Sequence, residues 1–299
     1  MSVNMNSQEQ YYQNPSTKAI IGGVITGGIA EELCGASHHI LSPMIMKEMS
    51  KTSNSISNDE FIKVNSAMTK ALADTGLEAK GVNIIRATKD NSEKISQILE
   101  KEISGNPLSK WIPKPIKKFL GTIIGKTLQA GENACYIFNS KKIIMPEKEL
   151  SLAFFHEAGH ALNANCSKIG KALQQCRLSM VLAAPISLIA LCKTKKAPGE
   201  KPKNTTDKVT TFIKNNAGKL AFVACIPVLI EEGLASIKGQ KLAKKLLSPE
   251  LAKKVAKCNL LGFSTYLLTA ICCSLGVYLG VKVKDSIASR QLINAEFSE

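Results

Sequence analysis

Apolar positions in this chain gather into uninterrupted runs rather than spreading evenly along it. The longest uncharged run covers residues 258–281, and shorter runs cover 19–30, 178–192 and 220–230. A run of 24 residues is long enough to cross a bilayer as a helix. The run 178–192 suits either a membrane helix or a buried helix, and the two shortest suit interfacial, re-entrant or core helices. The pattern therefore predicts a protein that is integral to a membrane.

Between these runs, the apolar spacing changes to that of a water-soluble part. The predicted elements are helices over 60–74 and 92–103, a polar loop over 48–60, and strands over 82–87, 133–138 and 141–145. Pro146 is expected to open the next helix, because Glu147 and Glu149 then lie in its first turn, where the helix dipole favours negative charge. The lysine-rich segment 193–219 is expected to be a solvated loop. The expected fold class is α+β and mostly helical, with a small antiparallel β-sheet packed on that helix, plus transmembrane helices.

The charge balance is strongly basic, but its composition argues against nucleic acid as a partner. The net charge is +15, and only three of the 39 basic residues are arginine. Arginine is the residue that makes bidentate contacts to bases and phosphates, and no aromatic residues alternate with the basic ones as in stacking surfaces. Lysine-rich segments beside apolar runs suit a surface next to anionic lipid headgroups. We therefore expect a lipid bilayer as partner and no nucleic acid.

Residues 156–160 read HEAGH, an HExxH motif that contains two of the four histidines. Side chains at positions i and i+4 lie on one face of a helix, so His156 and His160 can bind one metal ion together. Glu157 can act as the general base that takes a proton from a zinc-activated water. The motif therefore predicts a Zn²⁺ site with His156 and His160 as ligands and Glu157 as the catalytic residue.

A catalytic zinc ion needs a third protein ligand. Glu231 and Glu232 end the apolar run 220–230 abruptly, and adjacent carboxylates beside a membrane-like helix are costly unless they are paired or bind a metal. His38 and His39 lie far from the motif and are expected at the solvated surface. These considerations favour a carboxylate and leave both glutamates open.

The order of motifs resembles that of gluzincin peptidases, which pair an HExxH helix with a second helix of pattern E-x-x-A/S-D. In the segment EEGLAS, Glu232 matches the family's ligand and Ala235 its small residue. Ser236 stands where the family has an aspartate that orients a zinc-binding histidine, and it is expected to reach the outer nitrogen of such a histidine or the ligand carboxylate. Over roughly residues 75–240, the order of motifs is similar to that of the membrane-bound M48 peptidases of the HtpX and CAAX-prenyl protease type. That order is Asn133-Ala134, two strands, HEAGH, two apolar runs and EEGLAS.

The resemblance implies a zinc-dependent, membrane-associated endopeptidase with Glu232 as the third metal ligand. It implies a protein or peptide substrate, aligned as an added strand along 133–145, and an active site on the cytoplasmic side. Glu231 is expected to face solvent or the substrate cleft. Tyr136 and Arg177 are candidates for stabilising the oxyanion by residue type only.

Other interpretations remain. The FtsH peptidase family has a similar helix but needs an ATPase module, and the chain has no phosphate-binding loop. Site-2 proteases place HExxH inside a membrane helix, and soluble IrrE-type peptidases lack a run such as 258–281. The protein could also be a catalytically inactive or non-enzymatic membrane protein with a structural zinc site, or a basic peripheral protein that docks on anionic lipid.

Together these predictions divide the chain into five segments and leave the oligomeric state open. They are a disordered tail (1–18), an apolar glycine-rich helical element (19–47), a metallopeptidase domain with the HExxH helix (48–176), a membrane-associated helical hairpin that ends in the third-ligand helix (177–236), and a basic amphipathic helix with a C-terminal transmembrane helix (237–299).

Overall fold

A computed structural model describes residues 19–25, 44–45, 47–106, 109–110, 114–131, 133–147, 150–193 and 201–296. The chain forms two compact units. The first, here the motif unit, comprises residues 41–179 and 227–267, and the second, here the helical unit, comprises 1–40, 180–226 and 268–299. The predicted tail 1–18 and the pair His38 and His39 lie outside the described residues.

The described part of the chain is mostly helical and contains one small sheet. In chain order the elements are α1 (Asn58–Asp74), β1 (Asn83–Ala87), α2 (Ser92–Gly105), α3 (Lys114–Gln129), β2 (Cys135–Ile137), β3 (Lys142–Pro146), α4 (Phe154–Cys166), α5 (Lys168–Gln175), α6 (Ala183–Cys192), α7 (Thr205–Asn215), α8 (Ala217–Leu246) and α9 (Pro249–Glu296). Residues 19–25 and 47–54 are also helical, so the predicted loop at 48–60 is wrong over its first half.

All three predicted strands are present, but the sheet is mixed rather than antiparallel. The strand order is β1-β3-β2, with β1 parallel and β2 antiparallel to β3. A tight turn at Asn139-Ser140 joins β2 to β3, and Lys141 follows it with a φ of 52°. Because α2 and α3 lie between β1 and the hairpin, the chain can return in the direction of β1, which is the crossover that parallel strands need.

The HExxH helix begins later than the sequence predicts. Pro146 is the last residue of β3, opposite Ala87, and does not open a helix. A proline has no N–H to donate to a ladder, so a strand end suits it. A short 3-10 turn at Ser151–Ala153 then leads into α4 at Phe154.

The core of the motif unit lies between α4, the sheet and α1. Phe154, Phe155 and Ala158 of α4 are fully buried in one cluster with Ile143 of β3 and Met68 of α1. Burial of these apolar side chains fixes α4 rigidly, so the histidines on the same helix hold fixed positions.

Three helical stretches are long and apolar enough to cross a membrane: Lys168–Cys192, Ala217–Leu246 and Pro249–Arg290. They contain the three apolar runs that follow the motif in sequence. The predicted loop at 193–219 is wrong in part, because it contains α7, which Asn204 caps by accepting a hydrogen bond from the N–H of Asp207. Membrane association is therefore consistent with the structure of the described residues.

Candidate metal centre

The HExxH helix α4 and the glutamate-bearing helix α8 approach until their backbones nearly touch. A Cβ added at Gly159 would lie 2.0 Å from the carbonyl oxygen of Ala235, and one added at Gly239 would lie 2.2 Å from that of Phe155. Glycine is therefore required at both positions, and the two helices meet along small residues. This close approach brings the carboxylates of α8 to the imidazoles of α4.

His156, His160 and Glu232 form a group that could hold a metal ion. His156 Nε2 lies 3.0 Å from Glu232 Oε2 and 3.0 Å from His160 Nε2, and the third separation, His160 Nε2 to Glu232 Oε2, is 3.4 Å. Zinc bonds of about 2.0–2.2 Å at tetrahedral angles separate neighbouring ligand atoms by about 3.3–3.6 Å. The three atoms thus surround a point of nearly the right size for one ion.

Hydrogen bonds on the outer side of each imidazole orient both rings. His160 Nδ1 lies 2.8 Å from Glu231 Oε1, and His156 Nδ1 lies 3.2 Å from Ser236 Oγ. We assign the ring proton of each histidine to Nδ1, the nitrogen that faces these acceptors, which leaves both Nε2 lone pairs directed at Glu232. When His160 is neutral, three lone pairs then converge on one point, an arrangement that a cation stabilises. The predicted contact of Ser236 with a histidine of the motif is confirmed.

Glu231 lies at the centre of this arrangement and not at its edge. The prediction that it faces solvent or the substrate cleft is wrong, because Glu231 is fully buried and accepts from Asn163 Nδ2 at 3.1 Å and from Gln174 Nε2 at 2.5 Å. Adjacent glutamates on α8 point about 100° apart. Glu232 therefore lies beside Nε2 of His160, and Glu231 lies beside Nδ1 of the same ring. Nothing in the sequence signals Asn163 or Gln174, because their role depends on packing.

The other oxygen of Glu232 is held from a different direction. Arg177 Nη2 lies 2.8 Å from Glu232 Oε1, which leaves Oε2 for a metal. Arg177, an oxyanion candidate by residue type, contacts the Glu232 carboxylate in the structure. Tyr266, which lies beside Glu232, was missed because it stands inside the apolar run 258–281. The hydroxyl of Tyr136, the other oxyanion candidate, accepts from Asn165 Nδ2 at 2.9 Å.

Glu157 lies at the floor of an open cleft. The cleft has a volume of about 280 Å³, and Glu157, His160, Arg177 and Tyr266 line it together with β2. Glu157 is 7% exposed, and its Oε2 accepts from the backbone N–H of Tyr136 at 2.6 Å. Burial raises the pKa of the Glu157 carboxyl, against the opposing effect of the two histidines. A carboxyl of raised pKa beside a cleft is suited to accept and release a proton near neutral pH.

The buried charges favour a cation at this point. Burial by itself lowers the pKa of the His160 imidazole, but the carboxylates of Glu231 and Glu232 outweigh it and raise that pKa to about 10. Of the two buried glutamate charges, the Arg177 guanidinium balances one and a proton on His160 balances the other. A divalent ion that replaced this proton would balance the same charge, so the residues present fit a metal of the zinc class.

Models of known protein families, curated proteins and solved structures give no match to this chain. The likeness to membrane-bound gluzincins therefore rests on the motif, its order in the chain and the residue types quoted above.

Proposed function

We propose that this protein is a zinc-dependent, membrane-integral endopeptidase. The observation that carries the proposal is the convergence of His156 Nε2, His160 Nε2 and Glu232 Oε2 on one point beside the buried Glu157 and an open cleft. A purely structural zinc site closes all four positions with protein ligands, whereas a catalytic site keeps one position open. Among the described residues, three ligands meet here, which favours the catalytic type.

Each residue has a defined task in peptide hydrolysis. A bound zinc ion would lower the pKa of water and polarise the substrate carbonyl. Glu157 accepts the proton of the attacking water as the new C–O bond forms, and it delivers that proton to the leaving amine as the C–N bond breaks. Burial raises the pKa of the Glu157 carboxyl, which suits it to accept a proton and to release it again near neutral pH.

The cleft also offers groups that would bind substrate. Tyr266 lines the cleft and hydrogen-bonds to Glu232, and Arg177 also keeps Glu232 oriented; the Tyr266 phenol would have to turn from Glu232 to donate a hydrogen bond to the developing oxyanion. β2 pairs only with β3 in the described sheet, and it lines the cleft with its other edge towards Glu157. A peptide added along that edge as a further strand would lie beside the proton acceptor.

Metal analysis and peptide hydrolysis on full-length protein purified in detergent test the proposal. Wild type and Glu157→Gln should each hold one zinc ion, while His156→Ala should hold none. Glu157→Gln should lose hydrolysis of an unstructured peptide by about 10²- to 10⁴-fold, because an amide cannot accept the proton. Glu147→Gln, the same chemical change at an exposed residue, is the matched control and should keep full activity.

Each alternative gives a distinct result in this assay. Zinc bound at one per chain with no hydrolysis by wild type supports a structural metal site. Stoichiometric zinc in His156→Ala, or unchanged turnover in Glu157→Gln, refutes the residue assignment. A peripheral basic protein would leave membranes in a carbonate wash at high salt, whereas an integral one stays with them.

A further inference from the structure

The helical unit gathers its charged residues at one end of its apolar helices. Ala190 of α6, Ala217 of α8 and Val281 of α9 form one buried cluster. Each lies within a few residues of the point where an apolar run meets lysines. Where apolar helices end together and lysines begin, a membrane protein meets the headgroup layer, and Tyr278 adds an aromatic ring at the same level.

Two lysines beside this cluster are buried. Lys284 has no exposed surface, and its Nζ donates to the carbonyl oxygens of Ala190 at 3.3 Å and Lys193 at 2.5 Å. Lys284 Nζ also lies 2.9 Å from Asp285 Oδ1, and Lys214 Nζ, on a side chain that is 4% exposed, lies 3.0 Å from the same oxygen. One carboxylate therefore serves two buried ammonium groups, which leaves one excess positive charge.

A cavity of about 310 Å³ opens next to these buried lysines. Its lining includes Lys214, Lys219, Lys282, Asp285 and Tyr278, so three lysines and one aspartate border it. Lys219 and Lys282 are exposed, and neither forms an ion pair with another described residue. Lys282 Nζ lies 5.5 Å from the centroid of the Tyr278 ring. The cavity is therefore positively charged and has two lysines available for a ligand.

The start of α8 adds backbone donors to the same cavity. Ala217 and Gly218 line it, and the N–H groups in the first turn of a helix have no partner inside that helix. Ser274 Oγ donates to the Gly218 carbonyl at 2.9 Å and holds the start of α8 against α9. A Cβ at Gly218 would lie 2.8 Å from Tyr278 Cβ, so the close packing depends on glycine here. The positive end of the helix dipole thus points into a lysine-lined space.

We propose that this cavity binds a phosphate group, supplied by the headgroup of an anionic phospholipid. Two lysines without a carboxylate partner among the described residues, a pair of buried lysines that share one aspartate, and the first N–H groups of α8 border this cavity, and together they suit a ligand with several acceptor oxygens. A volume of about 310 Å³ lies at the lower end of the range for small-molecule sites, which suits a headgroup and not a large ligand. The site is separate from the metal centre, and its test does not depend on peptidase activity.

Binding of phosphatidylglycerol to the full-length protein in detergent tests this proposal. Bound lipid is counted by native mass spectrometry, with phosphatidylcholine as the uncharged comparison. The double variant Lys219→Gln/Lys282→Gln removes two exposed charges and leaves the buried lysines in place, so it should fold. Each lysine is expected to contribute about fivefold, so phosphatidylglycerol binding should weaken about 25-fold in the double variant. Lys241→Gln/Lys244→Gln makes the same change in net charge at exposed positions of α8 outside the cavity.

The outcomes separate the sources of phosphate. Loss of phosphatidylglycerol binding in the cavity variant alone supports the proposal. If inorganic phosphate competes with phosphatidylglycerol for the site that the cavity variant weakens, the cavity is a phosphate site and its ligand is a free anion. Equal weakening in both double variants, or equal binding of phosphatidylcholine, overturns the proposal and leaves a non-specific basic surface.

Discussion

The two units bury clusters of opposite charge. In the motif unit, Glu231 and Glu232 have no exposed surface and meet imidazoles and a guanidinium. In the helical unit, Lys284 has none, and it meets backbone carbonyls and one carboxylate that Lys214 shares. A buried charge without a full set of partners is unfavourable in either case. The sign of the buried groups differs between the clusters, and so accordingly do the ligands that we propose, which are a divalent cation for the first cluster and a phosphate for the second.

The partners of each cluster also differ in kind. Around the acidic cluster they are side chains whose hydrogen bonds fix the ring positions of two histidines. Around Lys284 the partners are backbone carbonyls, one of Ala190 in α6 and one of Lys193, the residue that follows α6. The basic cluster therefore holds helix ends together. We expect substitutions in the acidic cluster to act mainly on metal affinity and those in the basic cluster mainly on stability.

The largest effect on zinc binding is expected when each of the two adjacent glutamates is substituted in turn by glutamine. Glu232→Gln removes a ligand oxygen and should weaken zinc binding by more than 100-fold. Glu231→Gln replaces the charged acceptor beside His160 Nδ1 by a neutral amide and should weaken zinc binding by about 10- to 100-fold. Competition against a graded chelator measures both. If Glu231→Gln loses more zinc than Glu232→Gln, Glu231 is the ligand and the assignment is reversed.

Gly159→Ala tests the helix contact that assembles the acidic cluster. The added methyl would lie 2.0 Å from the Ala235 carbonyl oxygen, so α4 and α8 must separate. We expect a loss of at least about 3 kcal/mol in unfolding free energy, the upper part of the range for overpacking, because backbone atoms yield less than side chains. Zinc should be lost with it.

Gly262→Ala is the matched control for that variant. No heavy atom of the described residues lies within 4 Å of a Cβ added at Gly262. Stability should stay equal or rise by up to about 1 kcal/mol, since alanine favours helix over glycine. Thermal unfolding in detergent measures both variants, and equal losses in the two would contradict a specific contact at Gly159.

Asp285→Asn tests the basic cluster by removing the carboxylate that two buried lysines share. We expect a loss of about 3 kcal/mol at pH 7, because removing one partner leaves buried charge uncompensated. The control Asp74→Asn breaks an exposed pair with Lys245 and should cost less than about 1 kcal/mol. Similar losses in the two variants would argue against a buried charge cluster.

The pH dependence of stability follows from Lys214. Burial, together with the charge of Lys284, lowers the pKa of Lys214 from its ordinary value of 10.5 to about 8. Between about pH 8 and 10.5 the unfolded chain binds a proton that the folded chain does not, so the contribution of Lys214 to stability rises with pH there. In Asp285→Asn the rise should begin at a lower pH, since the carboxylate no longer supports the ammonium. A midpoint of thermal unfolding in that variant that falls from pH 7 to pH 8 would contradict this account.

Ser236→Ala is expected to have the smallest effect. It removes a neutral hydrogen bond at 3.2 Å from His156 Nδ1, so zinc affinity should fall about 10-fold, the lower end for an outer contact. Ser264→Ala, where the hydroxyl bonds only to the Leu261 carbonyl in the same helix, should leave zinc affinity unchanged. Ser236→Asp, the residue type of the family pattern, should raise affinity if Ser236 orients the ring.

The sequence by itself determined those features that depend on local spacing. Apolar spacing predicted the helix over 60–74, and α1 begins two residues earlier, where Ser57 and Glu60 exchange hydrogen bonds. The i and i+4 spacing of His156 and His160 placed two imidazoles on one face, and the uncharged run 258–281 marked a helix long enough to cross a membrane. Each of these follows from residues within one or two helical turns of one another or from unbroken apolar length.

Only the tertiary structure decided how distant residues combine. The parallel pairing of β1 with β3 depends on two intervening helices, and the separate tasks of Glu231 and Glu232 depend on how α8 is rotated against α4. Gly159 and Gly239 look like poor helix residues in sequence, yet they permit the contact that brings carboxylates to imidazoles. Lys284 lies in a segment whose composition is typical of a solvated tail, but its side chain is buried among backbone carbonyls. These outcomes depend on steric fit and charge compensation between segments that are far apart in the chain. The spacing of residues along the sequence does not predict such contacts.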